Sequence, residues 1–214
     1  MKKAIIFDLD GTLLNTLTDI SEAVNVVLNQ YGFPIHEELA YRKFIGNGIE
    51  VLARKSVPKD ISEDKFIEFL FDVKETYRRM QNTKTAPYRG ILDLLKRLNT
   101  EGIKIAVLSN KPNEFMEETI ARYFSEIKFE VVFGARKGVE PKPNPEGVYE
   151  ILDILNLEKS ACFFVGDTTT DIKTGVNAGI DAIGVTWGFT EPKEIIEAGA
   201  NYTVNHPKEI HELL

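Results

Sequence analysis

The sequence predicts an α/β fold: a mainly parallel sheet covered by helices on both faces, with an all-helical segment inserted behind its first strand. Three observations predict it. Short apolar runs rich in β-branched and aromatic residues recur at 4–7, 103–108, 129–133, 161–165 and 182–185, with a weaker one at 202–204. Amphipathic segments of helical spacing separate the later runs, and that alternation is the signature of βαβ units in a Rossmann-like core. From about residue 16 to 86 the alternation stops, and only helical periodicity remains.

The elements follow in order. The first strand, Ala4 to Phe7, leads into Asp8. Leu17, Ile20, Val24, Val27 and Tyr31 form one helical stripe of the insert, and Phe66, Leu70, Val73, Tyr77 and Met80 form another. A shorter helical stretch around 37–55 is interrupted by Gly46-Asn47-Gly48. Ile91, Leu94, Leu95 and Leu98 make the first helix after the insert, closed by Asn99 and Gly102. Phe115, Met116, Thr119, Ile120 and Tyr123 make the next, and Val148, Ile151, Leu152 and Leu155 a third. The resulting division is a core of residues 1–15 and 86–214 with an insert of 16–85, whose exits near 14–16 and 82–87 are plausible hinges.

Bulk properties narrow the function. The 214 residues are 43% hydrophobic and 28% charged, as expected of an ordinary globular protein. A formal charge of −7 argues against a nucleic-acid partner. No apolar run reaches the length of a signal-peptide core or a membrane span, so a cytoplasmic protein without a membrane partner is expected. Cys162 is the sole cysteine, which excludes an internal disulfide and reads as a small buried hydrophobe. His36, His206 and His211 lie outside every motif, and the aromatic residues Phe66, Phe69, Phe71 and Tyr77 read as helix packing. Trp187 fits either core packing or the mouth of a site.

The chemistry concentrates at the carboxyl ends of strands, where open α/β sheets collect ligands. Asp8 and Asp10 flank Leu9 and can point the same way, which is costly without a cation or a shared proton. Gly11 permits a sharp turn behind them. Ser109-Asn110-Lys111-Pro112 follows the second apolar run. Pro112 suits a first helical turn with Ser109 or Asn110 as its cap, giving an anion site or a plain helix cap. Lys142 stands among Pro141, Pro143 and Pro145, as a fixed cation or as an incidental residue of a stiff loop. Gly166-Asp167-Thr168-Thr169-Thr170-Asp171 puts two carboxylates about one helical turn apart, suited to Mg²⁺ or to helix capping. Together these are parts needed for phosphoryl transfer by positioning and charge stabilisation.

In this order, Asp8-Leu9-Asp10-Gly11-Thr12, Ser109-Asn110, Lys142-Pro143 and Gly166-Asp167 with Asp171 resemble the haloacid dehalogenase superfamily in its phosphatase branch. The motifs span residues 5–171, the insert resembles the family's helical cap domain, and Gly184-Val185-Thr186-Trp187-Gly188 resembles a late strand and loop of phosphoglycolate-phosphatase-like members. The resemblance implies Asp8 as nucleophile and Asp10 as proton shuttle. It implies Mg²⁺ held by Asp8, the Asp10 carbonyl and Asp167, supported by Asp171. Ser109, Asn110 and Lys142 would cradle the phosphoryl group, with Gly11 and Thr12 contributing. Arg42 and Lys43, before Gly46-Asn47-Gly48, are the insert's candidates for a second substrate anion, or simply a solvated face. Asn15 and Arg89 depart from the family's usual acidic residue and second proline.

The implied partner is a small phosphorylated metabolite, with 2-phosphoglycolate leading. A β-phosphoglucomutase and a pyrophosphate or nucleotide hydrolase are rivals within the family, and a phospho-accepting signalling domain is the rival from another class. The missing G-x-G-x-x-G disfavours a dinucleotide enzyme. Monomer and homodimer are both compatible with the sequence.

Overall fold

A computed structural model describes residues 2–214. The chain starts with β1 (Ala4–Phe7), then β2 (Leu14–Asn15) and the insert: α1 (Leu17–Gln30), a 3₁₀ segment (Glu38–Lys43), α2 (Ile49–Ser56) and α3 (Glu63–Met80). β3 (Ala86–Pro87) returns the chain to α4 (Ile91–Thr100), β4 (Lys104–Pro112), α5 (Met116–Tyr123), β5 (Val131–Ala135) and α6 (Glu146–Leu155). There follow β6 (Cys162–Gly166), α7 (Thr169–Ala178), β7 (Asp181–Val185), α8 (Pro192–Glu197), β8 (Tyr202–Val204) and α9 (Pro207–Glu212).

Six strands form one parallel sheet in the order β5-β4-β1-β6-β7-β8. Side-chain alternation gives this sheet two apolar faces. Ile5, Phe7, Ile105, Val107, Phe163 and Val165 point to one face and pack on Ile91, Leu94, Leu95 and Leu98 of α4. Ala4, Ile6, Ala106, Leu108, Cys162 and Phe164 point to the other and pack on Val148, Ile151, Leu152 and Leu155 of α6. Strands buried on both faces read as continuous apolar runs, and burying each of the valine, leucine, isoleucine and phenylalanine side chains contributes about 1.5–3 kcal/mol. Chain order reverses at β1, which lies between β4 and β6, so Asp8 emerges at the crevice where such folds bind ligands.

The insert has its own core, in which Val24 and Val27 of α1, Leu52 of α2 and Phe66, Phe69 and Val73 of α3 are buried together. Phe71 of the aromatic stripe instead faces solvent. Two features unforeseen in the sequence tie the insert's ends. β2 and β3 pair antiparallel, Leu14 with Pro87 and Asn15 with Ala86. Asp19 of α1, fully buried, accepts from the backbone N–H groups of Thr83, Lys84 and Thr85 and from both threonine hydroxyls, at 2.6–3.1 Å.

One local expectation is overturned. Ser109 to Pro112 do not cap a helix. They continue β4, whose register with β5 shifts between Leu108 and Pro112, and α5 begins only at Met116 after a 3₁₀ turn. Polar residues can extend this strand because their side chains find buried partners in the crevice instead of water.

Candidate active site

The carboxyl edge of the sheet brings Asp8, Ser109, Asn110, Lys142, Asp167 and Asp171 together in buried positions, with Asp10 partly exposed beside them. Asp8 extends β1, and Asp167 extends β6 two strand positions beyond Val165, the partner of Phe7. Asp171 lies in the first turn of α7, where it closes a capping box: its Oδ2 accepts from the Thr168 N–H at 2.9 Å and the Thr168 hydroxyl at 2.6 Å. Its Oδ1 accepts from the Lys142 ammonium at 2.6 Å, so Asp171 is at once a cap and a charge partner.

Lys142 bridges two acids, donating also to Asp8 Oδ1 at 2.6 Å. Its backbone is fixed by Asn110, whose side-chain carbonyl accepts from the Lys142 N–H at 2.9 Å while its amide donates to the Lys142 carbonyl at 3.0 Å. The same amide donates to the Gly46 carbonyl of the insert at 3.0 Å. Asn110 therefore holds the lysine loop and the insert in one register, a role that the motif alone does not reveal. Ser109 lines the cavity beside Asp8, its oxygen accepting from the Lys111 N–H at 3.2 Å.

Gly11 and Thr12 are placed differently from expectation. The Gly11 N–H donates to the Leu14 carbonyl and the Thr12 N–H to Leu9. The Thr12 hydroxyl donates to Asp167 Oδ1 at 2.9 Å. Their donors are spent on shaping the turn and orienting Asp167, whose Oδ2 accepts from the Phe189 N–H at 2.8 Å. Side chains at Gly11 or Gly188 would overlap the Asp167 carboxylate, so both backbones approach it as only glycine permits. Gly188→Ala is expected to displace Asp167 and lower turnover about 100-fold with the fold retained. Steady-state kinetics beside circular dichroism would check this, and unchanged turnover would show that the position of Asp167 is not critical.

The cavity, about 60 Å³, is bounded by Asp8, Asp10 and Ser109 at the sheet edge and by Gly46 and Gly48 from the insert. Arg42 and Lys43 do not reach it. Arg42 donates to the Gly188 carbonyl and Lys43 is exposed. Asn47 is exposed too, accepting from the Thr170 hydroxyl at 2.9 Å. Arg42 and Asn47 fasten the insert to the core instead of facing the cavity, whereas the Lys43 carbonyl accepts from Lys55 within the insert. Trp187 packs against the core and donates to the Thr12 carbonyl at 3.0 Å. The residue that sequence reasoning passed over is Tyr77 of α3, which crosses from the insert to the cavity wall and packs edge-on against Phe115. Its place in an aromatic stripe concealed it.

Charge is unbalanced here. Burial, reinforced by Asp171 and opposed by Lys142, pushes the Asp8 carboxyl up to about 7. Burial and then Asp171 and Asp8 hold Asp167 well above the usual carboxylate range. Burial alone would discharge Lys142, but Asp171 and Asp8 outweigh it and hold the ammonium charged. Carboxylate oxygens of Asp8, Asp167 and Asp171 lie within 4.8 Å of one another. Hard oxygen donors in a surplus of buried negative charge fit a divalent cation such as Mg²⁺.

A model of the family described as haloacid dehalogenase-like hydrolase matches residues 5–185. The chain belongs to that family. Within it, the chain is 30% identical over 212 residues to the phosphoglycolate phosphatase of Aquifex aeolicus, covering 99% of this chain and 96% of that protein. It is 28% identical to the phosphoglycolate phosphatase of Psychrobacter arcticus, covering 91% and 87%. A crystal structure from Lactobacillus delbrueckii subsp. bulgaricus, whose name as a phosphoglycolate phosphatase is provisional, superposes with a TM-score of 0.93. The two are 30% identical, over 100% of this chain and 98% of that one. By class the chain is a phosphoric monoester hydrolase of the phosphoglycolate-phosphatase-like branch.

Proposed function

We propose that the chain is a Mg²⁺-dependent phosphatase that hydrolyses a compact phosphomonoester through a phosphoryl group carried on Asp8, with 2-phosphoglycolate the leading substrate. One observation carries the reading: Asp8 sits at the cavity floor with Oδ1 held by Lys142, while its Oδ2 has no hydrogen-bond partner among the described residues.

The chemistry follows from that placement. Asp8 Oδ2 attacks phosphorus and the bond to the ester oxygen breaks. Asp10, on the same cavity wall, donates its proton to the departing oxygen. Asp10 then accepts a proton from water as the water attacks phosphorus, releasing inorganic phosphate and restoring Asp8. Lys142 and the Ser109 hydroxyl stabilise negative charge on the phosphoryl oxygens. Asp8, the Asp10 carbonyl and Asp167 would hold Mg²⁺, with Asp171 and Thr12 fixing their neighbours. When bound, the ion offsets the charge of the clustered carboxylates and of the phosphoryl group.

Residues 16–85 act as a cap over a core of 1–15 and 86–214. The Asn110–Gly46 and Thr170–Asn47 hydrogen bonds support this, since they hold the insert's glycine loop across the cavity. No helix among the described residues is long and apolar enough to cross a membrane. The size of the cavity favours a short leaving group over a hexose, and hence a phosphatase over a phosphoglucomutase.

A panel of 2-phosphoglycolate, β-glucose 1-phosphate, pyrophosphate and nucleotide monophosphates, assayed for phosphate release, tests the reading. The highest kcat/KM is expected for 2-phosphoglycolate, with activity lost in EDTA and restored by Mg²⁺. Activity indifferent to divalent ions, or conversion of glucose 1-phosphate to the 6-phosphate, would contradict it.

A further inference from the structure

The cavity has one polar feature that phosphoryl transfer does not use. Lys111, near the end of β4, is buried and lines the wall together with Tyr77. Around this pair the insert supplies aliphatic side chains, Ile20, Val24, Ile49 and Leu52 among them. Among the described residues lining the cavity, Lys111 is the one cationic side chain.

Its partners are fewer than its donors. The ammonium donates to the Tyr77 hydroxyl oxygen and approaches Asp10 Oδ1 at 3.4 Å, a long contact for an ion pair. It also lies 4.5 Å above the Tyr77 ring. An ammonium has three N–H donors, and among the described residues no acceptor takes the third. Lys142 provides the internal contrast, with two carboxylates at 2.6 Å. The Tyr77 hydroxyl hydrogen likewise has no protein acceptor among the described residues, so Lys111 and Tyr77 offer two adjacent donors at the cavity wall.

We infer that Lys111, supported by Tyr77, is the specificity-determining residue of this site and binds a single carboxylate on the substrate's leaving group. The substrate class is then the phosphate ester of a short hydroxy acid, two or three carbons long. Three observations select it. One cation with an unused N–H donor matches one negative charge, whereas a second phosphate would call for more. Aliphatic walls offer few partners to the hydroxyls of a sugar. The cavity of about 60 Å³ is shared between the phosphoryl group at Asp8 and Ser109 and whatever lies beside Lys111, which leaves room for a short leaving group only. The inference rests on the phosphatase reading and names the residue that would select its leading substrate.

The test compares two esters of similar size, 2-phosphoglycolate and the neutral 2-hydroxyethyl phosphate, in wild type, Lys111→Met, Lys111→Arg and Tyr77→Phe. For Lys111→Met, kcat/KM for the carboxylate ester should fall about 30-fold further than for the neutral one, mainly through KM. Lys111→Arg should recover part of that difference. Tyr77→Phe, which removes only an oxygen, should give a several-fold selective loss and serves if Lys111→Met does not fold. Equal losses on both esters would overturn the inference, because Lys111 would then act through Asp10 alone. Calorimetric titration with glycolate is independent of turnover: wild type should bind it and Lys111→Met should bind it at least tenfold more weakly. Glycolate binding through Lys111 in a protein that hydrolyses no ester would defeat the phosphatase reading alone. Hydrolysis of both esters without any dependence on Lys111 would defeat this inference alone.

Discussion

Asp8→Asn is expected to lower turnover by about 10⁴-fold or more, since it removes the attacking oxygen and not merely a support for it. The same change should leave the protein at least as stable. In the folded chain the Asp8 carboxyl is pushed up from 3.8 to about 7, by burial first and Asp171 second. A group raised on folding contributes stability below its unfolded pKa and loses it as pH rises through the folded value. Without metal, wild type should therefore lose stability between about pH 4 and pH 7 through this group, and Asp8→Asn should lack that contribution. Urea unfolding in EDTA at pH 5.5 and pH 8 measures it. A larger pH-dependent loss in the variant than in wild type would contradict the sign, and a variant with full turnover would remove Asp8 from the chemistry.

Asp19→Ala should cost about 3 kcal/mol, because it removes the shared acceptor of three backbone N–H groups and two hydroxyls and leaves the buried Thr85 donors without a partner. Burial alone would raise the Asp19 carboxyl, but the donations from Thr85, Thr83 and Lys84 outweigh it and hold the group below its ordinary value. That sign is opposite to Asp8. The stability Asp19 supplies is present above the unfolded pKa of 3.8 and disappears as pH falls through the folded value. Chemical denaturation from pH 7 down to pH 3 should show wild type converging toward the variant. Two equally stable proteins at pH 7 would mean that the Thr83–Thr85 crossing is held without this carboxylate. Because Asp19 joins the two chain crossings at the insert's base, its loss should also loosen the insert, measurable as faster amide exchange at Thr83, Lys84 and Thr85.

The parallel sheet was legible because both faces of each central strand are buried, leaving apolar runs that end abruptly in polar residues. Asp8 and Asp167 were legible for the same reason, since buried charges directly behind such runs are hard to explain by packing, whereas Lys142 stood out by the prolines around it. Ser109 to Pro112 misled because proline after serine and asparagine is a common helix start, whereas here the strand simply continues into the crevice. Arg42 and Lys43 were attractive only as cations, and charge in a sequence does not reveal direction; Arg42 is spent on the Gly188 carbonyl. The Asn110 clamp on Lys142, the Asp19 staple and the reach of Tyr77 into the cavity each join residues more than 30 positions apart. No local periodicity encodes such contacts. Specificity is carried by the same kind of long-range meeting, which is why the acidic motifs define a reaction more readily than a substrate.

Rapid acid quenching during turnover of 2-phosphoglycolate with Mg²⁺, followed by mass spectrometry of the peptides, addresses the covalent role of Asp8 most directly. A phosphoryl group on the peptide that contains Asp8, formed within the first turnover and absent from Asp8→Asn, is the predicted result. Phosphate released at the full rate with that peptide unmodified at every quench time would contradict it.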